Sequence, residues 1–482
     1  MPDRAAKPRR RWPWAVLALL LVAGALAYRA LPGLLSRAVA AGQARNDEIV
    51  REELAFHVGT LAYVYGYPLV DMSQQMHNET QRVAADQRVV APVNRMFSYG
   101  ALVTPSTQGN LRMPNHDTLY FSGWYDVSKE PVLLHVPDTA GRYYTIAVTN
   151  FWSEVEHLGR RTTGTIERTF ALVSPGWSGA LPEGVVPVTT ETPRGWLLGR
   201  MLVSGADDAP AALSLVDQIW LAPLSEYVPG RKPALGPENS AAALDALASL
   251  EFFDLMNAAL REVPARAADA ALLAQLDQVG LGPSVDFDPQ ALAAPERRGL
   301  ERALEAGRAL LAASGQRARP GERGWIVPRL VGRYGLDYLA RATVVLNGYG
   351  NLPEESLYAA ALVDDRGELL TGSGRYRIRF APGALPPVRA FWSLAAYDIR
   401  TAKLVENPIQ RYSLGDRTPG LVTGDDGSLT IALQADEPRD ADVNWLPTPG
   451  GPLPFIVVMR MYEPRDEALS GAYQLPVVTR AP

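Results

Sequence analysis

An abrupt change of pattern divides the chain. Residues 239–315 are dominated by alanine and leucine, while the sequence on either side is cut into short apolar runs by proline, glycine and asparagine. Alanine and leucine lose little freedom in a helix, so Ala241–Ala248, Ala267–Leu276 and Leu300–Ala313 predict helices broken at Gly282-Pro283. The flanks predict strands. Val132–Val136 and Tyr143–Phe151 are rich in aliphatic, β-branched and aromatic residues, and Pro175-Gly176 and Pro182-Glu183-Gly184 mark turns. Beyond the insert, Arg375–Phe380 alternates arginines with apolar side chains. Leu429, Ile431 and Leu433 share a strand face after the Asp426-Gly427 turn, and Phe455–Met459 has buried-strand length. Phe391–Asp398 reads as a core strand, and Asn444-Trp445-Leu446-Pro447 as a tight loop pinned by its tryptophan. Strands about ten residues apart with polar turns predict a sandwich or jelly roll. The whole reads as mainly β with a helical insert, in keeping with 41 glycines and 39 prolines among 482 residues.

The N-terminus has the pattern of a membrane signal. Arg9-Arg10-Arg11 precede an apolar run from Trp12 to Tyr28, which as helix spans about 25 Å, the short end of a bilayer crossing. Residues 1–11 are then a basic cytoplasmic flank, 12–35 a transmembrane anchor or signal segment, and the remainder is exported. Ala25-Leu26-Ala27 offers a cleavage site, but apolar character resumes at Ala30, Leu31, Leu34 and Leu35, which favours a retained anchor. The expected location is the inner membrane with the body in the periplasm, the lipid bilayer being the partner of the first helix. Leu54, Val58, Leu61 and Tyr65 form one apolar stripe and predict a separate helix at about residues 44–65.

Charge and composition exclude several functions. The net charge of −5 averages a basic first 37 residues with an acidic body of 40 bases and 51 acids, which argues against nucleic-acid binding. With no cysteine there is no disulfide, thiolate nucleophile or iron–sulfur cluster. All five histidines lie within the first 157 residues, and no pair has a common metal-motif spacing, so neither a metal site nor a cofactor is expected. The chain carries no nucleophile elbow, P-loop or dinucleotide fingerprint.

The densest polar cluster is Pro114-Asn115-His116-Asp117-Thr118-Leu119-Tyr120. Asn115 and Asp117 suit an Asx-type turn into a strand. Functionally, Asp117 suits a general base, with Tyr120 or His116 as proton donor. A second cluster, Arg160-Arg161-Thr162-Thr163-Gly164, offers two guanidinium groups and two hydroxyls for an anion, or for a salt-bridged buttress. Arg95, Tyr99 and Arg142 add Arg/Tyr pairs in this half, and Arg411 and Trp445 lie in polar loops of the second. The acidic pairs Asp207-Asp208 and Asp425-Asp426 read as solvated turns.

At these motifs the chain resembles a bacterial family that joins domain of unknown function 1254 to domain of unknown function 1214. The first resemblance rests on Tyr63–Pro68, Pro114–Tyr120, Pro137, Arg142-Tyr143-Tyr144 and Gly159–Gly164. The second rests on Gly372–Tyr376, Pro386–Ser393, Asn407-Pro408, Arg411-Tyr412-Ser413, Asp426-Gly427-Ser428 and Asn444–Pro447. It implies an immunoglobulin-like β-sandwich over 50–235, a small helical domain over 239–320 and a jelly-roll-like β-sandwich over 330–480, preceded by the transmembrane helix. It implies no activity and transfers no catalytic residue.

The leading functional expectation is a membrane-anchored, periplasm-facing protein that binds a polar or anionic small molecule or saccharide of the envelope. Arg95, Tyr99, Asn115, Asp117, Tyr120, Arg142, Arg160 and Arg161 form the candidate surface, facing Arg411 and Trp445. The alternatives are a hydrolase or lyase working through Asp117 with Tyr120 or His116, and a structural envelope component. Oligomeric state stays open.

Overall fold

The computed structural model describes residues 12–481 except 88–89, 110, 264–265, 316, 318–319 and 322, so the basic flank 1–11 lies outside the described residues. One helix runs from Trp12 to Thr80, 69 residues or about 100 Å at the α-helical rise. The expected membrane segment and the expected helix near 44–65 are therefore one element. Pro32 and Pro68 lie within it, each leaving the carbonyl four residues earlier without its helical partner. Its N-terminal part contains an 18-residue window of mean hydropathy 1.8, none of it buried, which is compatible with a membrane anchor or a signal sequence.

From Ala55 onward the helix enters the protein core. Ion pairs Arg51–Glu296 at 2.5 Å and Glu52–Arg298 at 2.7 Å pin it to helix Ala294–Gly315, and helices Glu251–Glu262 and Tyr338–Asn347 pack beside it. Small residues set these crossings. A β-carbon at Gly66 would lie 2.4 Å from Met256 Sδ, and one at Gly59 2.7 Å from Leu300 Cδ2. The Ala/Leu-rich insert thus draws a packing partner from residues 55–80.

The rest is mainly β-sheet. In the N-terminal unit a five-stranded antiparallel sheet orders Met96–Ser98, Thr118–Asp126, Arg194–Leu202, Tyr144–Asn150 and Val155–Gly159. A four-stranded sheet orders Val186–Thr189, Arg168–Val173, Val132–Val136 and Trp220–Pro223. Leu119, Phe121, Ile146 and Leu197 of the first sheet share a core with Leu134, Phe170 and Leu221 of the second. The C-terminal unit has a six-stranded sheet centred on Ser356–Ala361, Phe455–Pro464 and Val388–Asp398. Its other sheet orders Asn444–Pro447, Leu429–Gln434, Tyr376–Phe380 and Val478–Arg480. Tyr376, Ile378 and Phe380 are buried while Arg377 and Arg379 are not, as their alternation predicts. Asn444–Pro447 corrects the sequence reading, because it is a strand. It pairs in parallel with Leu429–Gln434, and Trp445 Nε1 donates to the Gln434 carbonyl at 2.9 Å, so a neighbouring strand satisfies what a turn was expected to satisfy.

Candidate functional site

Alternation along the strands gives each large sheet two faces. In Thr118–Asp126 and Arg194–Leu202, Leu119, Phe121, Leu197 and Met201 enter the unit's own core, so Tyr120 and Arg200 turn outward. In the C-terminal unit, Leu357, Leu394, Val457, Met459 and Met461 point inward, leaving Tyr358, Ser393, Tyr397 and Arg460 on the opposite face. Tyr120 lies opposite Arg200 in the ladder, and Tyr358 and Ser393 flank Arg460. The two outer faces meet in a polar seam.

Hydrogen bonds cross the seam throughout. Ser393 and Ser413 donate to the two carboxylate oxygens of Asp117 at 2.5 and 2.8 Å. Tyr397 donates to the Pro114 carbonyl at 2.6 Å, and Arg460 Nη2 to the Met113 carbonyl at 2.6 Å. Arg161 and Tyr143 both donate to Glu355, each at 2.8 Å, and Arg160 makes a two-pronged contact with Glu463 at 3.0 and 2.7 Å. His157 lies below with its Nε2 accepting from the Leu352 N–H at 3.2 Å, which places its proton on Nδ1 toward Thr145 Oγ1. Burial, then the charges of Arg200 and Arg161, push its pKa well below the usual histidine range, so it is neutral.

The arginines at the centre are the unusual feature. Arg200 is 7% and Arg460 4% exposed, and an arginine stays charged in any protein environment. Yet among the described residues neither is ion-paired with a carboxylate. Arg200 Nη1 donates to Asn351 Oδ1 at 2.9 Å, and its guanidinium lies 5.3 Å from the Tyr120 ring centre. Arg460 lies 5.4 Å from the Tyr397 ring and 6.0 Å from that of Tyr358. Three buried polar atoms around them have no partner: Arg460 Nη1, Asn351 Nδ2 and Ser356 Oγ. Native interiors rarely leave such groups unmatched, and an unpaired buried charge costs several kcal/mol. Chemically, the seam holds two buried cations packed against tyrosine rings, with few acceptors facing them.

The seam gathers some of the expected residues and not others. Asp117 lies in it, and Tyr120 forms part of its wall. Asn115 is the Asx turn behind them: its Oδ1 accepts from the Asp117 and Thr118 N–H groups at 2.9 Å, and its N–H and Nδ2 both donate to the Tyr120 hydroxyl. His116 donates from Nδ1 to the Val103 carbonyl at 2.6 Å and meets the Tyr412 ring edge-on. Arg160 and Arg161 edge the seam as ion-paired cross-links. Arg142 lies in a two-pronged contact with Asp208, so that aspartate is a buttress where a solvated turn was expected. Arg95 is elsewhere, paired with Glu226. Tyr99 packs edge-on against Tyr120. Arg411 donates to the backbone carbonyl of Trp445, whose own ring is tied to Gln434.

Sequence reasoning missed Arg200, Arg460, Tyr358, Tyr397 and Ser356. A signal was present: each arginine is a lone charge inside an otherwise apolar strand, Gly195–Leu202 and Phe455–Tyr462.

A second buried cluster joins the helices to the N-terminal unit. Asp269 accepts from Arg266 at 2.9 and 3.1 Å, Tyr338 at 2.7 Å and Tyr65 at 3.1 Å. Desolvation opposes its charge, but these donors hold the carboxyl below the ordinary aspartate range. Arg341, fully buried beside Trp152, shares Glu154 with Arg266 at 3.3 and 3.1 Å. Toward the end of the first helix, Glu79 accepts from Trp124 Nε1 at 2.9 Å, and desolvation pushes its pKa up to about 7 against that bond.

Two family models match the chain. One, described as a protein of unknown function (domain of unknown function 1254), covers residues 93–223; the other, of unknown function 1214, covers 355–466. A crystal structure of a Vibrio parahaemolyticus protein is 26% identical with a TM-score of 0.66, over 89% of this chain and all of that one. A crystal structure of an uncharacterized Burkholderia cenocepacia protein is 13% identical with a TM-score of 0.40, over 92% of this chain and 97% of that one. No curated protein matches.

Proposed function

The chain belongs to the bacterial family that joins domain of unknown function 1254 to domain of unknown function 1214, and we propose that it binds a polar or anionic small molecule in the seam between its two β-units. The observation that carries this reading is the pair of buried guanidinium groups, Arg200 and Arg460, neither of which is ion-paired with a carboxylate among the described residues. A ligand anion supplies what the chain does not. The paired sheets with shared cores support an immunoglobulin-like sandwich over 50–235 and a jelly-roll-like one over 330–480, around the helical region at 239–320. The exposed apolar helix behind a basic flank supports an inner-membrane anchor with the body in the periplasm. Acid–base chemistry through Asp117 has less support, because both its oxygens accept from Ser393 and Ser413 and His116 is turned to Val103.

Thermal unfolding tests the proposal with sulfate and benzoate as anions and glucose as the neutral control, at constant ionic strength. The native chain gains stability with an anion, about 2.7 kcal/mol at a hundredfold excess over Kd. Arg460→Met abolishes that gain. Equal gains in both proteins, or none in either, defeat the reading.

A further inference from the structure

We infer that the groove between helices Glu251–Glu262 and Ala294–Gly315 binds a linear aliphatic diamine. This is a second site, and no part of it rests on the reading of the seam.

The groove holds a cavity of about 910 Å³, within the size range of small-molecule sites. Its floor is aliphatic: Ala246, Leu250 and Leu304 are buried beneath it and Leu255 is half-buried. Its walls are acidic. Glu251 and Asp254 stand in the first turn of one helix, Glu301 and Glu305 one turn apart on the other, and all four are exposed. None of these carboxylates has a hydrogen bond or ion pair among the described residues. On its neighbouring face the second helix does match its charges, with Arg298 and Arg302 held by Glu52 and Glu53. A separate observation lies on the same lining: the Ser249 hydroxyl is buried and has no partner, free to accept from an N–H or to donate.

Charge complementarity sets the sign of the occupant. Arg297 and Arg308 also line the groove. Arg297 donates to the Pro289 carbonyl, and neither arginine is ion-paired among the described residues. Four carboxylates against two guanidinium groups leave a surplus of two negative charges. The spread of the acids then selects among cations. Among the described residues no three acidic or histidine side chains gather as metal ligands, so a compact metal ion meets no site. A monocation leaves half of the surplus unmatched. A linear diamine places one ammonium at each acidic wall in charge-assisted hydrogen bonds and lays its methylenes on the leucine floor. One of its N–H groups can also satisfy Ser249. The walls are exposed, so binding weakens as salt rises.

The test is calorimetric titration of the full chain in a nonionic detergent, at low and constant ionic strength. The probes are 1,5-diaminopentane, n-pentylamine, magnesium chloride and 1,5-pentanediol. The diamine binds at least about tenfold more tightly than the other three. Glu301→Gln combined with Glu305→Gln strips one wall and weakens the diamine at least about tenfold. Asp440→Asn combined with Asp442→Asn makes the same change of charge on an exposed loop of the C-terminal unit and leaves binding unchanged. Ser249→Ala weakens the diamine about three- to tenfold, and Arg308→Gln, which enlarges the surplus, tightens it about two- to fivefold. Magnesium matching the diamine, or equal losses in the two double variants, shows only a counterion cloud on an acidic protein and overturns the site. Pentylamine as tight as the diamine overturns the two-headed occupant, and pentanediol as tight overturns the charge argument. Binding of none of the four overturns the inference and leaves the anion reading of the seam untouched.

Discussion

Two clusters bury arginines in this chain, and they differ in what faces the guanidinium. At the helical junction Arg266 and Arg341 meet Asp269 and Glu154, so two positive charges stand against two negative ones. Arg341 keeps unmatched nitrogens there too, but its charge is shared with a carboxylate 3.3 Å away. At the seam, Arg200 and Arg460 face tyrosine rings, an amide oxygen and a backbone carbonyl. Burial of an arginine thus has opposite consequences in the two places. A neutralised cluster holds elements together, and removing one partner strands the other; an unneutralised one is a standing cost that a ligand can relieve.

The largest effect is expected at the junction. Asp269→Asn leaves the partly buried Arg266 and the buried Arg341 to share Glu154 alone, and urea unfolding at pH 7 should show a loss of about 2–4 kcal/mol that no added anion restores. A loss below about 1 kcal/mol would mean that the junction is not neutralised as described. At the seam the sign reverses. Arg460→Met removes an unpaired charge, so the unliganded protein should be no less stable than the native one, yet indifferent to benzoate. A large destabilisation would place Arg460 with the junction arginines. Asp117→Ala leaves Ser393 and Ser413 without their acceptor and should cost about 1–3 kcal/mol, read by the same unfolding experiment.

The smallest effect concerns pH. Because the folded pKa of Glu79 is raised to about 7, its protonated form is favoured in the folded state. That contribution is fully present below the unfolded glutamate pKa and is lost as pH rises toward 7. Glu79→Gln should therefore flatten the stability–pH profile between about pH 4.5 and 7. An unchanged slope would show that Glu79 titrates as an ordinary glutamate.

The strands were legible where burial leaves a simple pattern. Val132–Val136 is a strand with those bounds, and Tyr376–Phe380 alternates as its sequence does. Asn444–Pro447 was not, since four residues of Asn, Trp, Leu and Pro have no period, and only the partner strand reveals their state. The continuity of the first helix was hidden by Pro32 and by the polar stretch near residues 43–48, both of which look like breaks. Of the seam, the Asn115–Tyr120 cluster was legible as a turn because Asx turns announce themselves locally. Arg200 and Arg460 lie 260 residues apart, and each alone looks like a flaw in an apolar strand. Their meaning comes from the pairing of two outer faces, which no local pattern encodes. The arginines that stood out in sequence, Arg142, Arg160 and Arg161, carry their own carboxylates and serve as struts.

The most direct test of the anion seam is a crystal structure of the chain soaked with 4-bromobenzoate, read from the anomalous signal of bromine. The account predicts a bromine peak in the seam, with the carboxylate between Arg200 and Arg460. Bromine found only on the surface, with ordered water alone between the two guanidinium groups, would contradict it.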